Sequence, residues 1–397
     1  MISQRQLFLQ HIAQPSSTPL LLEIEKAEGI YLYAKGGKRY IDLVSGVSVS
    51  NVGHSHPKVV KAVKEQVDKY MHLMVYGEYV QSPQVQYAKL LTDNLPNNLD
   101  TVYFVNSGSE EIEGALKLAK RNTHRSEIIA FKNAYHGSTH GALSVLGSET
   151  LKSSYRPLLP DIKFLEYNNI NQLEAITKKT ACVVVEPIQA EAGIIVPEND
   201  FLLKLRNRCN QTDTMLIFDE VQTGFGRTGT LFAFEQFNIV PDIMAIAKAM
   251  GGGMPIGAFV SSKEIMDTLK SNPALGHITT FGGHPVSSAA AFASLNIILD
   301  ENLASEANRK GELFKKYLKH PAIKIIRGKG LFLAVELGNA EQVIKLHEFC
   351  IEKGVVFDMF LFCETAFRIA PPLTISDEEI EMISNILLQA IDEAVSD

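Results

Sequence analysis

MLIFDEVQTGFGRTGTLFAFEQFNIVPDIMAIAKAMGGGMPIGAFV, residues 215–260, contains three short apolar runs, and two of them lead directly into an ionisable residue: MLIF into Asp219 and IMAIA into Lys248. Short apolar runs bounded by turn residues read as buried strands. The same rhythm extends upstream through VYFV (102–105), IIAF (128–131), IKFL (162–165) and CVVV (182–185). Longer segments of partly helical pattern separate these runs. In SEEIEGALKLAKR (109–121), for instance, Ile112, Ala115, Leu116 and Ala119 follow the i, i+3, i+4, i+7 stripe of a helix lying on a sheet. The alternation between Thr101 and Val260 therefore predicts a mostly parallel sheet with helical crossovers, an α/β fold. Ligands of open α/β sheets gather at the carboxyl ends of the strands. NSGSEE (106–111), DEVQ (219–222) and Lys248 are thus expected to meet at one edge.

An acid and an amine at neighbouring strand ends suit pyridoxal phosphate. The lysine amine can form a Schiff base with the cofactor aldehyde, and an ionised Asp219 keeps a proton on the pyridine nitrogen, so the ring accepts electrons from a carbanion. A buried ammonium also needs a reason, since it costs several kcal/mol unless its pKa falls or it is paired. Ser107, Gly108 and Ser109, between a strand and a helix with an acidic first turn, offer backbone N–H groups and hydroxyls to a phosphate. Alone, that tripeptide is as well explained by an ordinary helix cap.

The whole chain frames this reading. Its 397 residues, 46% of them hydrophobic, supply a large core and two domains, and a net charge of −7 without a basic block argues against nucleic acid or an anionic membrane as partner. Cys182, Cys209, Cys350 and Cys363 are scattered without a CxxC pair, as expected of reduced thiols in a cytoplasmic protein. No long apolar run marks a membrane span. ASEANRKGELFKKYLKH (304–320) and EEIEMISNILLQAIDEAV (378–395) surround the apolar runs GLFLAVEL (330–337) and KGVVFDM (353–359), which suggests a smaller α+β domain. The expected division is 1–50 joining the small domain, 51–290 as the large cofactor-binding domain and 291–397 as the C-terminal small domain.

Competing readings lack their partners. Gly224, Gly226 and Gly229 match G-x-G-x-x-G, but DEVQT separates them from the strand and no acid closes a further strand about 20 residues on. Asp219 and Glu220 as magnesium ligands of an NTPase would require a GxxxxGK[ST] loop, which the chain lacks. His54, His56, His136 and His140 have interrupted spacing and no accompanying carboxylate, so they read as structural histidines, and no metal is expected.

Taken together the motifs resemble the class III aminotransferases (acetylornithine, ornithine, 4-aminobutyrate and ω-amino acid types), fold type I pyridoxal phosphate enzymes. The likeness runs from GIYLYAKGGKRYIDLVSGVSVSNVGHSHP (29–57) through NSGSEE, AYHGST (134–139), EPIQAEAG (186–193), IFDEVQTGFGRTG (217–229), AKAMGGGMPIGA (247–258) and TTFGGHPVSSAAA (279–291) to FRIAPPLTIS (367–376). The resemblance implies a large domain built on a mostly parallel seven-stranded sheet. It implies Lys248 as Schiff-base lysine and proton carrier, Asp219 as partner of the pyridine nitrogen, Val221 and Tyr135 on either side of the ring, and Gln222 on the ring hydroxyl. Ser107, Gly108, Ser109, His136 and Glu186 also fall at its cofactor-binding positions, and Thr280 at the position that reaches the neighbouring subunit's phosphate, so the implied unit is a homodimer with shared sites.

The implied reaction is ping-pong transfer of an amino group to a 2-oxo acid, 2-oxoglutarate or pyruvate. Other chemistry on the same cofactor (aminomutase, decarboxylase, epimerase) is the alternative, and a cofactor-keeping binding protein a third. Arg368 matches the family's α-carboxylate arginine and Glu191 the acid that pairs with it. The sequence departs from its relatives at Ser138, where the acetylornithine and 4-aminobutyrate enzymes usually carry a second arginine. It departs again at Val47, where ornithine enzymes carry tyrosine, and at His284 in place of asparagine. These departures lean toward an ω-amino acid or amine donor.

Overall fold

The computed structural model describes residues 2–75 and 77–396. Near the N-terminus, β1 (Ile24–Glu28), β2 (Tyr31–Ala34) and β3 (Arg39–Asp42) form an antiparallel meander. The seven apolar runs then become β4 (Thr101–Val105), β5 (Glu127–Phe131), β6 (Ile162–Leu165), β7 (Thr180–Val185), β8 (Met215–Asp219), β9 (Ile243–Ile246) and β10 (Gly257–Ser261). They make one seven-stranded sheet of order β4-β10-β9-β8-β7-β5-β6, in which β10 alone runs antiparallel to its neighbours. The expected α/β architecture with a mostly parallel seven-stranded sheet is present, and the reversed β10 is the one strand that the sequence pattern did not orient.

Alternate residues explain why both faces of this sheet are covered. Ile217 of β8 points toward the helix Gly108–Thr123 and packs in one core with Ile112, Ala115, Leu116 and Ala119. Its neighbours Leu216 and Phe218 join the opposite core with Phe201, Leu205 and Leu295 of the helices Phe201–Thr212 and Pro285–Asp300. A strand buried on both faces must be apolar throughout, hence continuous runs rather than alternation. Each such side chain contributes roughly 1.5–3 kcal/mol by leaving water.

The C-terminal part contains β11 (Ile325–Lys329), β12 (Phe332–Glu336), β13 (Val355–Val356), β14 (Asp358–Met359) and β15 (Ala366–Ile369). A four-stranded sheet of order β11-β12-β15-β14 carries Arg368, and the helices Leu303–Tyr317, Ala340–Glu352 and Asp377–Ser396 lie in this part of the chain. β13 leaves that region to pair in parallel with β3, so the N-terminal meander and the C-terminal segment share one sheet. Among the described residues no helix is long and apolar enough to cross a membrane.

Candidate active site

The topology alone brings the chemistry together. β8 and β9 are parallel neighbours with Asp219 opposite Ala245, so Asp219 and Lys248 leave the sheet at the same edge. β4 pairs antiparallel with β10 and β10 antiparallel with β9, which turns the end of β4, and with it Asn106–Ser109, to that edge as well. Beyond the ends of β5 and β7 come Tyr135, His136 and Glu186. A cavity of about 430 Å³ opens there, lined by Ser107, Gly108, Ser109, Tyr135, His136, Glu186, Asp219, Val221, Gln222 and Lys248. Val49, Asn106, Ile188 and Met254 line it too; all four lie within the quoted motifs, but no role was assigned to them.

Asp219 is bonded on both oxygens. Its Oδ1 accepts the Val221 N–H at 3.0 Å, and its Oδ2 lies 2.7 Å from His136 Nδ1. Burial by itself would lower the His136 imidazolium, but the hydrogen bond to Asp219 and the charges of Asp219 and Glu186 outweigh it and raise the group. The expectation that no carboxylate accompanies the histidines is corrected here: His136 has Asp219, and His54 Nε2 sits 2.7 Å from Asp42 Oδ2. Both carboxylates are distant in sequence from motif spacing, 83 and 12 residues away. Among the described residues no group of three or more His, Cys, Asp or Glu is arranged to hold a metal.

Lys248 opens a single 3-10 turn after β9 with φ +51°. Burial lowers its ammonium to about 8; Arg368 pushes the same way, while Glu191, Asp219 and Glu186 pull back. Glu186 is buried and pushed up to about 8, chiefly by desolvation and then by Asp219, with its oxygens accepting the Ala190 N–H at 3.0 Å and the Tyr135 N–H at 3.3 Å. Glu111 is a further buried acid that the motifs did not single out. Its carboxyl lies toward Ile246 and Ala258 without a hydrogen bond of normal geometry, and burial followed by the Asp219 charge raises it well above the carboxylate range.

Three features fit the cavity to pyridoxal phosphate. Ser107 caps the helix Gly108–Thr123 and leaves that helix's N-terminus open to the cavity, as a phosphate requires. A Cβ at Gly137, whose φ is +127°, would overlap Ser109 Oγ at 2.2 Å, so only glycine lets this stretch of the wall close on the helix N-terminus. His136 Nε2, fully buried, has no partner among the described residues. A buried imidazole nitrogen without a partner is expensive unless a ligand satisfies it.

Beside the cavity, Arg368 is completely buried and donates from Nη2 to Glu191 Oε1 at 2.7 Å and from Nη1 to Gln222 Oε1 at 3.2 Å. Gln222 Nε2 in turn donates to Glu191 Oε1 at 2.9 Å, and Leu361 N–H to Glu191 Oε2 at 3.3 Å. Although burial opposes it, the Arg368 charge and these donors hold Glu191 below its ordinary range. Ser138 takes no part in this cluster: its Oγ is 3.2 Å from Tyr135 Oη and its N–H donates to Ser109 Oγ at 3.1 Å.

Val47 sits in a run of left-handed residues from Ser45 to Ser48, at φ +63°, and it is Val49, not Val47, that lines the cavity. Asp42 supports that turn by accepting the N–H groups of Val44 and Ser45 at 2.7 and 3.0 Å. Thr280 is exposed and apart from the cavity of its own chain. Glu220, considered as a magnesium ligand, instead accepts the Ala233 and Phe234 N–H groups at 3.0 and 2.7 Å. All four cysteines are free.

The family described as Aminotransferase class-III matches residues 12–391. The acetylornithine aminotransferase of Methanopyrus kandleri is 39% identical over 357 residues, spanning 89% of this chain and 90% of that protein. A transaminase from the marine bacterium Virgibacillus superposes with a TM-score of 0.93 at 28% identity, covering 99% of both chains. The ornithine aminotransferase of Toxoplasma gondii, whose active site holds pyridoxal phosphate at partial occupancy, gives 0.91 at 29% identity over 98% of this chain and 93% of its own.

Proposed function

The chain belongs to the class III aminotransferases, pyridoxal-phosphate-dependent enzymes, and from that premise we propose which residues act and on what. Lys248 and Asp219 are the catalytic pair. Ser107, Gly108 and Ser109 hold the phosphate, Val221 and Tyr135 flank the ring, Gln222 meets its hydroxyl, and His136 and Glu186 complete the cofactor wall. Bound there, pyridoxal phosphate supplies a carbonyl that takes the substrate nitrogen and a ring that draws electrons from the adjoining carbon. Asp219, held by His136 and the Val221 N–H, presents its carboxyl group to the cavity, where it would partner the pyridine nitrogen. Lys248 Nζ, whose ammonium burial lowers to about 8 in the cofactor-free protein, is the group placed to take up and return the proton.

The donor is a primary ω-amine of the acetylornithine, ornithine or 4-aminobutyrate kind, one that does not need a second arginine at its remote end. Among the described residues lining the cavity Lys248 is the only lysine or arginine, and Ser138 stands where a second arginine would take a distal carboxylate. The acceptor is a 2-oxo acid, 2-oxoglutarate or pyruvate, whose carboxylate takes the place of Glu191 on Arg368 in a bidentate contact. The observation that carries this reading is the buried Arg368–Glu191–Gln222 cluster, joined to the cavity through Gln222. The reading extends to a homodimer in which Thr280 serves the partner's cofactor. It also keeps the division into 1–50, 51–290 and 291–397, supported by the pairing of β3 with β13.

The test is a half-reaction panel. The loaded enzyme is mixed separately with 4-aminobutyrate, ornithine, acetylornithine, lysine, β-alanine, diamines, alanine and glutamate. Conversion of the cofactor absorbance to the aminated form is followed, with the carbonyl product assayed. Conversion by an ω-amine and by glutamate or alanine, with stoichiometric carbonyl product, is expected. Conversion by neither glutamate nor alanine would remove the role given to Arg368.

A further inference from the structure

Arg368 faces a second acid. Asp358 of β14 lies directly opposite Arg368 of β15 in the antiparallel register, so the two side chains project from the same face of the sheet. On the other flank Arg368 is opposite Ala334 of β12, too small to contribute charge or to crowd it. Asp358 Oδ2 stands 3.8 Å from Arg368 Nη1, while Glu191 occupies Nη2 at 2.7 Å. The arginine thus carries one positive charge between two carboxylates. Asp358 is anchored by accepting its neighbour's Met359 N–H at 2.9 Å, and its side chain is 40% exposed where that of Arg368 is fully buried. Arg368 Nε meanwhile has no partner among the described residues, so the guanidinium is not saturated by the acids around it.

These observations rest on the reading of Arg368 as the carboxylate arm and deepen it. We propose that Asp358 is a specificity-determining residue: it leaves a net negative charge beside Arg368, which disfavours ligands placing a carboxylate there and favours donors that bring an ammonium or neutral chain. When a carboxylate displaces Glu191, Asp358 stays, because its position is set by strand register rather than by the bond to arginine. Like charges on opposite sides of one guanidinium then compete for the same cation, in a setting less screened than water. An amine donor meets no such competition. Ser138 provides no second cation to offset this bias, and among the described residues lining the neighbouring cavity Lys248 is the one lysine or arginine.

Glutarate, a dicarboxylate that cannot react, and 1,5-diaminopentane separate the two effects on the loaded enzyme. Asp358→Asn and Asp358→Ala are compared with the unsubstituted chain, with melting temperature and cofactor absorbance as controls for folding and cofactor loading. Both variants are expected to bind glutarate about tenfold more tightly by calorimetry and to raise the KM of the diamine half-reaction. A purely structural role would weaken both ligands together, so it is the opposite sign of the two changes that supports the proposal. Unchanged or weaker glutarate binding in Asp358→Asn overturns it, as does an effect confined to Asp358→Ala. Glutarate binding requires no turnover, so this outcome is independent of whether any tested amine proves to be a substrate.

Discussion

Lys248 owes its lowered ammonium, at about 8, to burial more than to any single neighbour, with Glu191 and Asp219 opposing. In the cofactor-free protein this sets a pH window. A lysine with a folded pKa lowered from 10.5 binds fewer protons than the unfolded chain between about 8 and 10.5, so its contribution to stability increases as pH rises across that range. The neutral amine is also the form that attacks a carbonyl. Stopped-flow uptake of pyridoxal phosphate by the apoprotein is therefore expected to accelerate with pH and level off above about 8. A rate that keeps climbing to the ordinary lysine range would contradict the buried, lowered amine. At this scale the sequence was informative about residues whose chemistry follows from a strand end or from the family resemblance, and silent about those whose surroundings only the fold supplies. Lys248 and Asp219 were legible because each ends an apolar run, and Gln222 through the family resemblance of the DEVQ segment. Glu111 and Asp358 were not, because their importance comes from which strand or helix lies opposite, and no spacing encodes that.

The elements convert a one-dimensional rhythm into a converging edge. The helix Gly108–Thr123 matches the stripe read from 109–121 and carries Ser107 and Gly108 to the cavity only if it lies close on the sheet. Gly114 sets that closeness, since a Cβ there would come within 2.2 Å of the Phe259 ring on β10. Intrinsic helix propensity favours alanine over glycine by about 1 kcal/mol. Packing reverses the sign: Gly114→Ala is expected to destabilise by roughly 1–3 kcal/mol in urea unfolding. A stabilised variant would mean that the helix floats above the sheet. Strand existence and the crossover helices were legible because burial on both faces demands continuous apolar runs. The antiparallel direction of β10 was not, since a buried strand reads alike in either direction. The left-handed turn from Ser45 to Ser48 was equally hidden, because a β-branched Val47 at φ +63° runs against local preference and is upheld by Asp42 from outside the turn.

At the scale of the molecule, Arg227 ties distant parts of the chain together. Fully buried, it donates from Nη1 to the carbonyls of Leu331, at 3.0 Å, and Pro371, and from Nη2 to Asn51 Oδ1. It lies in the GFGRTG loop whose glycines imitate a dinucleotide fingerprint. The resemblance dissolves once this arginine is seen to join the N-terminal segment and the C-terminal sheet to the edge that bears Asp219. Arg227→Met strands three buried acceptors and is expected to lower unfolding free energy by roughly 2–4 kcal/mol, read as an earlier urea midpoint. A midpoint equal to the unsubstituted protein would show the parts to be held otherwise. What the whole fold finally does is isolate one lysine among many, in a cavity with an acid, a buried histidine and an open helix terminus. The most direct test is borohydride reduction of the cofactor-loaded protein followed by peptide mass mapping. The pyridoxyl label is expected on Lys248 and on no other lysine, and to vanish in Lys248→Ala together with transamination; label on a different lysine, or normal multiple turnover by that variant, would contradict the account.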